Sequence, residues 1–290
     1  MIKYKIFSNA KINIGLNVFQ KESDGYHNID SIMVPIDLSD EMDVIFYSED
    51  GELKIECSDS RIPTDERNIL SKTYKIFFES LKKENEKIDI SLKKNIPSEA
   101  GLGGGSSNAA FFLKLLNEHY GNIYNESELE ELAMKIGSDV PFFIKNKTAR
   151  VGEKGNKVEL VENNLKDSII LIKPLDFGIS TKEAYDSFDN LKEVKYADFD
   201  KIIDSLKKDN RIALENNIEN NLEQGILETN IEVKMFKMAL NSVVSGKKFF
   251  MSGSGSTYYT FVTELEKSQI ETRLKTFVDN VKIIICKTIK

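Results

Sequence analysis

Apolar and polar residues alternate with period two at 3–7, 12–19, 42–47, 53–57 and 88–94, which predicts five strands in the first half of the chain. The period lengthens to between three and four at about 68–83, from about 106, and at 126–136, which predicts helices. Ser106 or Ser107 is the expected N-cap of the second of these. Gly137-Ser138-Asp139-Val140-Pro141 then interrupts the pattern, and Pro141 excludes a continuing helix. In the second half, strands are expected at 168–173, 248–252, 257–263 and 281–288. Helices are expected at 181–188, 199–207, 211–216, 231–245 and 265–277. Strands and helices of this order make an α+β fold, with a boundary near the polar run Glu162-Asn163-Asn164 and domains at 1–162 and 163–290.

One junction in this pattern carries chemistry. Between the strand ending in Ile96 and the helix that follows stand Pro97-Ser98-Glu99-Ala100-Gly101-Leu102-Gly103-Gly104-Gly105-Ser106-Ser107. A glycine loop leading into a helix N-terminus can wrap its backbone N–H groups around a phosphate, and the helix dipole favours the anion there. A plain turn needs fewer glycines, because each costs backbone entropy. No lysine closes the loop, so it is not a Walker-type P-loop, and Ser106 stands where a dinucleotide fingerprint has Gly or Ala. A second turn, Met251-Ser252-Gly253-Ser254-Gly255-Ser256-Thr257, joins two strands. It is a hairpin loop, or it adds N–H donors around the same anion.

Composition narrows the partners. The formal net charge of −7 over 290 residues argues against broad nucleic-acid binding, which needs a basic face. Cys57 and Cys286 sit in separate strand-like segments and read as small buried hydrophobes. With two cysteines and two histidines no Cys/His metal site is expected. The apolar runs are of strand length, too short to cross a membrane, and no secretory leader stands at Met1, so a cytoplasmic protein is expected.

Three segments together resemble the GHMP kinases. The stretch 97–110 is similar to that family's ATP loop, 251–257 to its C-terminal glycine motif, and Ala10-Lys11-Ile12-Asn13-Ile14-Gly15-Leu16 to its substrate-side strand. Asp24-Gly25-Tyr26-His27 and Ile136-Gly137-Ser138-Asp139-Val140-Pro141-Phe142-Phe143 resemble the branch whose acceptor carries a cytidine diphosphate group. The resemblance implies a ribosomal-protein-S5-domain-2-like N-terminal domain and a ferredoxin-like C-terminal one. It implies transfer of the ATP γ-phosphate to the 2-hydroxyl of 4-diphosphocytidyl-2-C-methyl-D-erythritol, a step of non-mevalonate isoprenoid precursor synthesis.

In that reading residues 97–107 bind ATP, with Mg²⁺ held mainly through its phosphates and Ser107 a candidate ligand. Lys11 stabilises charge on the transferred group, and Asp139 accepts the hydroxyl proton. Asn13, two residues along the strand from Lys11, faces the same side and helps to orient the reacting groups. Tyr26 and Tyr185 stack on the nucleobase while His27 reads its polar edge. Lys94 and Asn68 are secondary candidates for the ribose or adenine. Glu99 places an acid where a small residue is usual, and its side chain is expected to point outward. A mevalonate-type or homoserine kinase, and a nucleotide-binding regulator without turnover, remain open alternatives. Oligomeric state has no signal in the chain.

Overall fold

The computed structural model describes residues 1–289. The chain opens with β1 (Ile2–Lys21), one strand where two were expected, and β2 (His27–Asp50), far longer than its expected 42–47. Residues 31–36 of β2 are all buried, so that part has no polar face and shows no alternation. β3 (Leu53–Cys57), α1 (Ile69–Leu81) and β4 (Glu86–Lys93) come next, as expected. α2 (Gly104–His119) starts two residues earlier than expected. Its N-cap is Gly103 at φ +69°, not Ser106 or Ser107, because glycine takes that backbone conformation without steric cost.

α3 (Glu126–Ile136) closes with the expected break, and a further helix, α4 (Val140–Lys145), then begins. Pro141 lies in its first turn, where a missing N–H costs nothing, so the proline starts a helix as well as ending one. β5 (Ala149–Glu153) and β6 (Lys157–Leu160) were too short to read from periodicity. Then come β7 (Ser168–Pro174), α5 (Thr181–Asp189), α6 (Phe199–Lys207), α7 (Arg211–Glu215), the unforeseen α8 (Asn221–Thr229), and α9 (Ile231–Val243). The chain closes with β8 (Phe250–Met251), β9 (Tyr258–Val262), α10 (Glu264–Phe277) and β10 (Val281–Cys286).

Contacts divide the chain into two compact units that are interleaved in sequence, unlike the single boundary expected at 162/163. One comprises Met1–Ala10, Leu38–Pro97 and Gly103–Asn146; the other comprises Lys11–Asp37, Ser98–Leu102 and the chain from Lys147 onward. The interleaving arises from β1, β2 and the glycine segment, each of which runs from one unit into the other.

In the first unit β4 pairs parallel with β3 and antiparallel with β2, with Glu41 opposite Lys93. α1, α2, α3 and α4 pack on one another. Phe77, Phe78, Phe112, Phe142 and Phe143 are buried there, each contributing about 1.5–3 kcal/mol. His119, in the last turn of α2, stacks on Phe46 with ring centroids 3.8 Å apart.

In the second unit an antiparallel sheet runs β10-β7-β9-β8, with β7 buried along its whole length. Continuous burial explains its unbroken apolar run, Ile169-Ile170-Leu171-Ile172. The first part of β2 pairs there with β5, and β5 with β6. A side chain on Gly15 would meet Phe199 and Ile202 at 3.1 and 3.2 Å, so that glycine is where α6 comes against β1. Cys286 is buried as expected, while Cys57 is only half-buried.

Candidate active site

Lys11 is 3% exposed, an unusual position for a lysine, and its Nζ donates to Asn13 Oδ1. Asn13 is held in turn: its Nδ2 donates to Ser31 Oγ at 2.8 Å, and the Ser31 hydroxyl donates to Gly15 O at 2.7 Å. A strand lysine is ordinarily a solvated charge. Here a chain of three side chains fixes the ammonium, with Asn13 as its positioning group. The Lys11 backbone N–H donates to Leu102 O at 3.0 Å, which ties this strand to the glycine segment.

In that segment Ala100 and Leu102 are buried and anchor it by their side chains, while Pro97 and Ser98 are half-buried. Glu99 is exposed, as expected; at φ +49° its carboxylate swings towards Gly178, where an added Cβ would lie 3.7 Å from Oε2. Gly101, at φ +68°, sits so close to the second glycine turn that a Cβ would stand 1.9 Å from Ser252 O. The Ser252 hydroxyl donates to Gly101 O at 2.9 Å, and Ser252 Oγ accepts the Asn13 N–H at 3.2 Å. The turn is braced from behind by Asn220, whose Nδ2 donates to Met251 O and Gly253 O, both at 2.9 Å. Buried Lys173 donates from Nζ to Ser256 Oγ.

The first unit holds the rest of the glycine segment. The first-turn N–H groups of α2 have no intrahelical acceptor, by the geometry of any helix start. Gly105 has open space, with Ile69 the nearest side chain at 3.9 Å from an added Cβ. Ser107 Oγ is fully buried and has no hydrogen-bond partner among the described residues. An orphaned hydroxyl at a helix N-terminus suits phosphate oxygens or a cation bridging them.

Asp139 occupies the N-cap position of α4, and its side chain makes no capping hydrogen bond to that helix. Lys114 of α2 donates to the last carbonyls of α4, Phe143 O at 3.2 Å and Ile144 O at 3.3 Å. Burial pushes the Lys114 amine down to about 8. The two secondary nucleotide candidates are engaged within the protein. Asn68 caps α1, accepting from Leu70 N at 2.9 Å, and Lys94 is ion-paired with Asp40.

The expected acceptor-binding residues gather in the second unit. His27 Nδ1–H donates to Phe19 O at 2.8 Å, which leaves Nε2 facing Asp189 Oδ1 at 3.5 Å. The His27 and Tyr185 rings are in contact, centroids 5.1 Å apart, so no base fits between those two. Tyr26 is 67% exposed at the turn, its N–H bonded to Asp24 Oδ1. Lys154 pairs with Asp24 and Glu22, so this turn is pinned by an ion pair. A cleft of about 470 Å³ opens beside Asn28 and Asp30, but Arg150, Lys157, Glu153 and Glu159 line it with both signs of charge. Such a lining does not favour a polyanion.

A GHMP kinases N terminal domain model matches residues 68–147, the span that holds the glycine segment, α2 and Asp139. The chain is 88% identical over 287 residues to a 4-diphosphocytidyl-2-C-methyl-D-erythritol kinase of Fusobacterium nucleatum, covering 99% of this chain and 98% of that one. This chain belongs to the 4-diphosphocytidyl-2-C-methyl-D-erythritol kinases of the GHMP kinase family. It is an ATP-dependent small-molecule kinase with the GHMP kinase fold, an α+β fold. A relative named for the same activity in Persephonella marina is 40% identical over 90% of this chain and 93% of its own length. A crystal structure of 4-(cytidine 5'-diphospho)-2C-methyl-D-erythritol kinase superposes with TM-score 0.78 at 23% identity, over 98% of this chain and 99% of that one. A homoserine kinase from Cytophaga hutchinsonii superposes with TM-score 0.71 at 17% identity, over 99% and 97%, which shares the fold alone.

Among the described residues of this kinase no helix is long and apolar enough to cross a membrane. Ser31, Lys173 and Asn220 join the site's framework without having been anticipated. Ser31 and Lys173 sit in strands with no motif around them. Asn220 had a signal, an asparagine ahead of Asn-Leu-Glu that caps α8 through Leu222 and Glu223.

Proposed function

We propose that this kinase transfers the γ-phosphate of ATP to the 2-hydroxyl of 4-diphosphocytidyl-2-C-methyl-D-erythritol in the cytoplasm, as a step of non-mevalonate isoprenoid precursor synthesis. The observation that carries the reading is the 88% identity, along nearly the whole chain, to a kinase named for that substrate. Residues 97–107 hold ATP through backbone N–H groups and serine hydroxyls. Mg²⁺, when bound, neutralises charge on the β- and γ-phosphates, and the orphaned Ser107 Oγ is the group that fits it. Lys11, buried and aimed by Asn13, offers its ammonium to the charge that develops on the phosphoryl oxygens. Asp139 takes the proton from the 2-hydroxyl as it attacks. Tyr26 and Tyr185 stack on the cytosine and His27 Nε2 meets its polar edge.

Asp139→Asn tests the chemistry. Transfer falls by about 10³-fold or more while ATP affinity stays near wild type. Unchanged turnover removes Asp139 as the base. ADP release measured with 4-diphosphocytidyl-2-C-methyl-D-erythritol, mevalonate and homoserine in parallel tests the acceptor. Release with the first compound alone supports the reading, and release with either of the others refutes it.

A further inference from the structure

The corner between β4 and the glycine segment is held by a carboxylate that no step above uses. Asp40, on β2, is fully buried. Its Oδ1 accepts the backbone N–H groups of Asn95 and Ile96, both at 2.8 Å. Its Oδ2 accepts from Lys94 Nζ and, at 3.0 Å, from Asn108 Nδ2. Asn108 lies early in α2 and is 2% exposed; its Nδ2 also donates to Ser8 Oγ at 2.7 Å, and its Oδ1 accepts from Lys94 Nζ at 3.3 Å. The Lys94 ammonium lies against the start of α2, where a Cβ on Gly104 would stand 3.2 Å from it.

A buried ion pair is a poor source of stability, because desolvation offsets most of its attraction and apolar residues of equal volume often do as well. What apolar residues cannot do is hydrogen-bond two separate segments to a third at defined angles. One carboxylate here ties the backbone just before Pro97, the lysine beside it, and the helix that begins at Gly104. Those are the two ends of the glycine segment. We propose that Asp40 is a positioning residue for the nucleotide: it sets the separation of the segment's two ends and so holds the intervening N–H groups in register for phosphate. The inference rests on the reading that this segment holds ATP.

The test is Asp40→Asn, which keeps an acceptor for Asn95 and Ile96 and removes the charge that holds Lys94. ADP binding by calorimetry and steady-state kinetics with ATP are measured on the full chain. The ADP Kd and the ATP KM rise about tenfold, as when only about a tenth of the molecules hold the competent arrangement. Turnover at saturating ATP and the acceptor KM stay within about twofold. Loss of turnover with unchanged nucleotide constants marks a purely structural residue and overturns the proposal. Asn108→Ala leaves the Asp40–Lys94 pair in place and serves where Asp40→Asn does not fold; the same constants shift in the same direction, and no shift overturns the proposal. Wild-type protein that binds no ADP overturns the reading of the glycine segment itself, whereas wild-type binding with indifferent variants overturns only the role of Asp40.

Discussion

The chain contains two turns built from glycine and serine, one at 101–107 and one at 252–256, and they do opposite work. The first runs into α2, so its N–H groups at 104–106 stand in a first helical turn with no intrahelical acceptor, and Ser107 Oγ is left without a partner among the described residues. The second returns as a hairpin between β8 and β9. Part of it is engaged within the fold: Ser252 N–H donates to Thr257 O at 3.0 Å, Gly255 N–H to Ser252 O at 2.9 Å, and Ser252 Oγ bonds both Gly101 and Asn13, while Thr257 Oγ1 at its end is buried without a partner among the described residues. Composition made the two look alike. The helix that follows leaves the first turn with N–H groups that have no intrahelical acceptor, and the second turn acts as a bracket for the beginning of the first.

The largest effect is expected where the two turns touch. Gly101→Ala places a methyl 1.9 Å from Ser252 O at a positive φ, so backbone has to move. It should destabilise the protein by about 3 kcal/mol and abolish detectable ATP binding, read by chemical denaturation and by calorimetry. Wild-type behaviour would show that the contact is dispensable. Ser107→Ala and Ser252→Ala then separate the two turns. The first should leave stability unchanged and lower kcat/KM for ATP about 10–100-fold, since only an unpaired hydroxyl is lost from the fold. The second should cost about 1–2 kcal/mol of stability through its lost bonds. Equal profiles for the two variants would erase the distinction.

A titration sharpens the difference further, because only the first turn continues into a helix that carries Lys114. Its amine is held near 8 in the folded protein against 10.5 for a free lysine. Between those values the unfolded chain binds more protons, so stability should rise with pH from about 8 to 10.5, by about 3 kcal/mol. Urea denaturation across that range checks it; Lys114→Met should remove the rise, and an identical rise in the variant would refute the assignment. The smallest effect is at Gly105, which has room for a methyl. Gly105→Ala should gain about 0.5 kcal/mol of stability from a less flexible unfolded chain and still raise the ATP KM, because the space there serves ligand. A gain in stability with no change in KM would show that the space is idle.

Most of the architecture was legible where one face of an element meets solvent. α3 and α6 stand at the residues that periodicity marks, and their caps, Asn125 and Asp198, are of the expected kind. Legibility failed where that premise failed. The stretch 31–36 of β2 is buried on both faces and has no alternation to read. Pro141 does exclude a continuation of α3, but the same fixed φ suits a first turn, and the short helix α4 that starts there leaves no periodic signal.

The site divides in a similar way. Local sequence determined the glycine segment and the helix after it, and the family resemblance singles out Lys11, Asn13, Tyr26, His27, Asp139 and Tyr185 as the proposed site residues. These depend on backbone geometry and residue type over a few positions. Tertiary structure alone decided that Asn13 holds Lys11, that Ser252 lies against Gly101, that His27 and Tyr185 share a contact, and that Asp40 anchors the corner before Pro97. Each of these joins residues whose partners are set by strand register and helix packing, and hydrogen bonds to a buried atom leave no periodic trace along the chain.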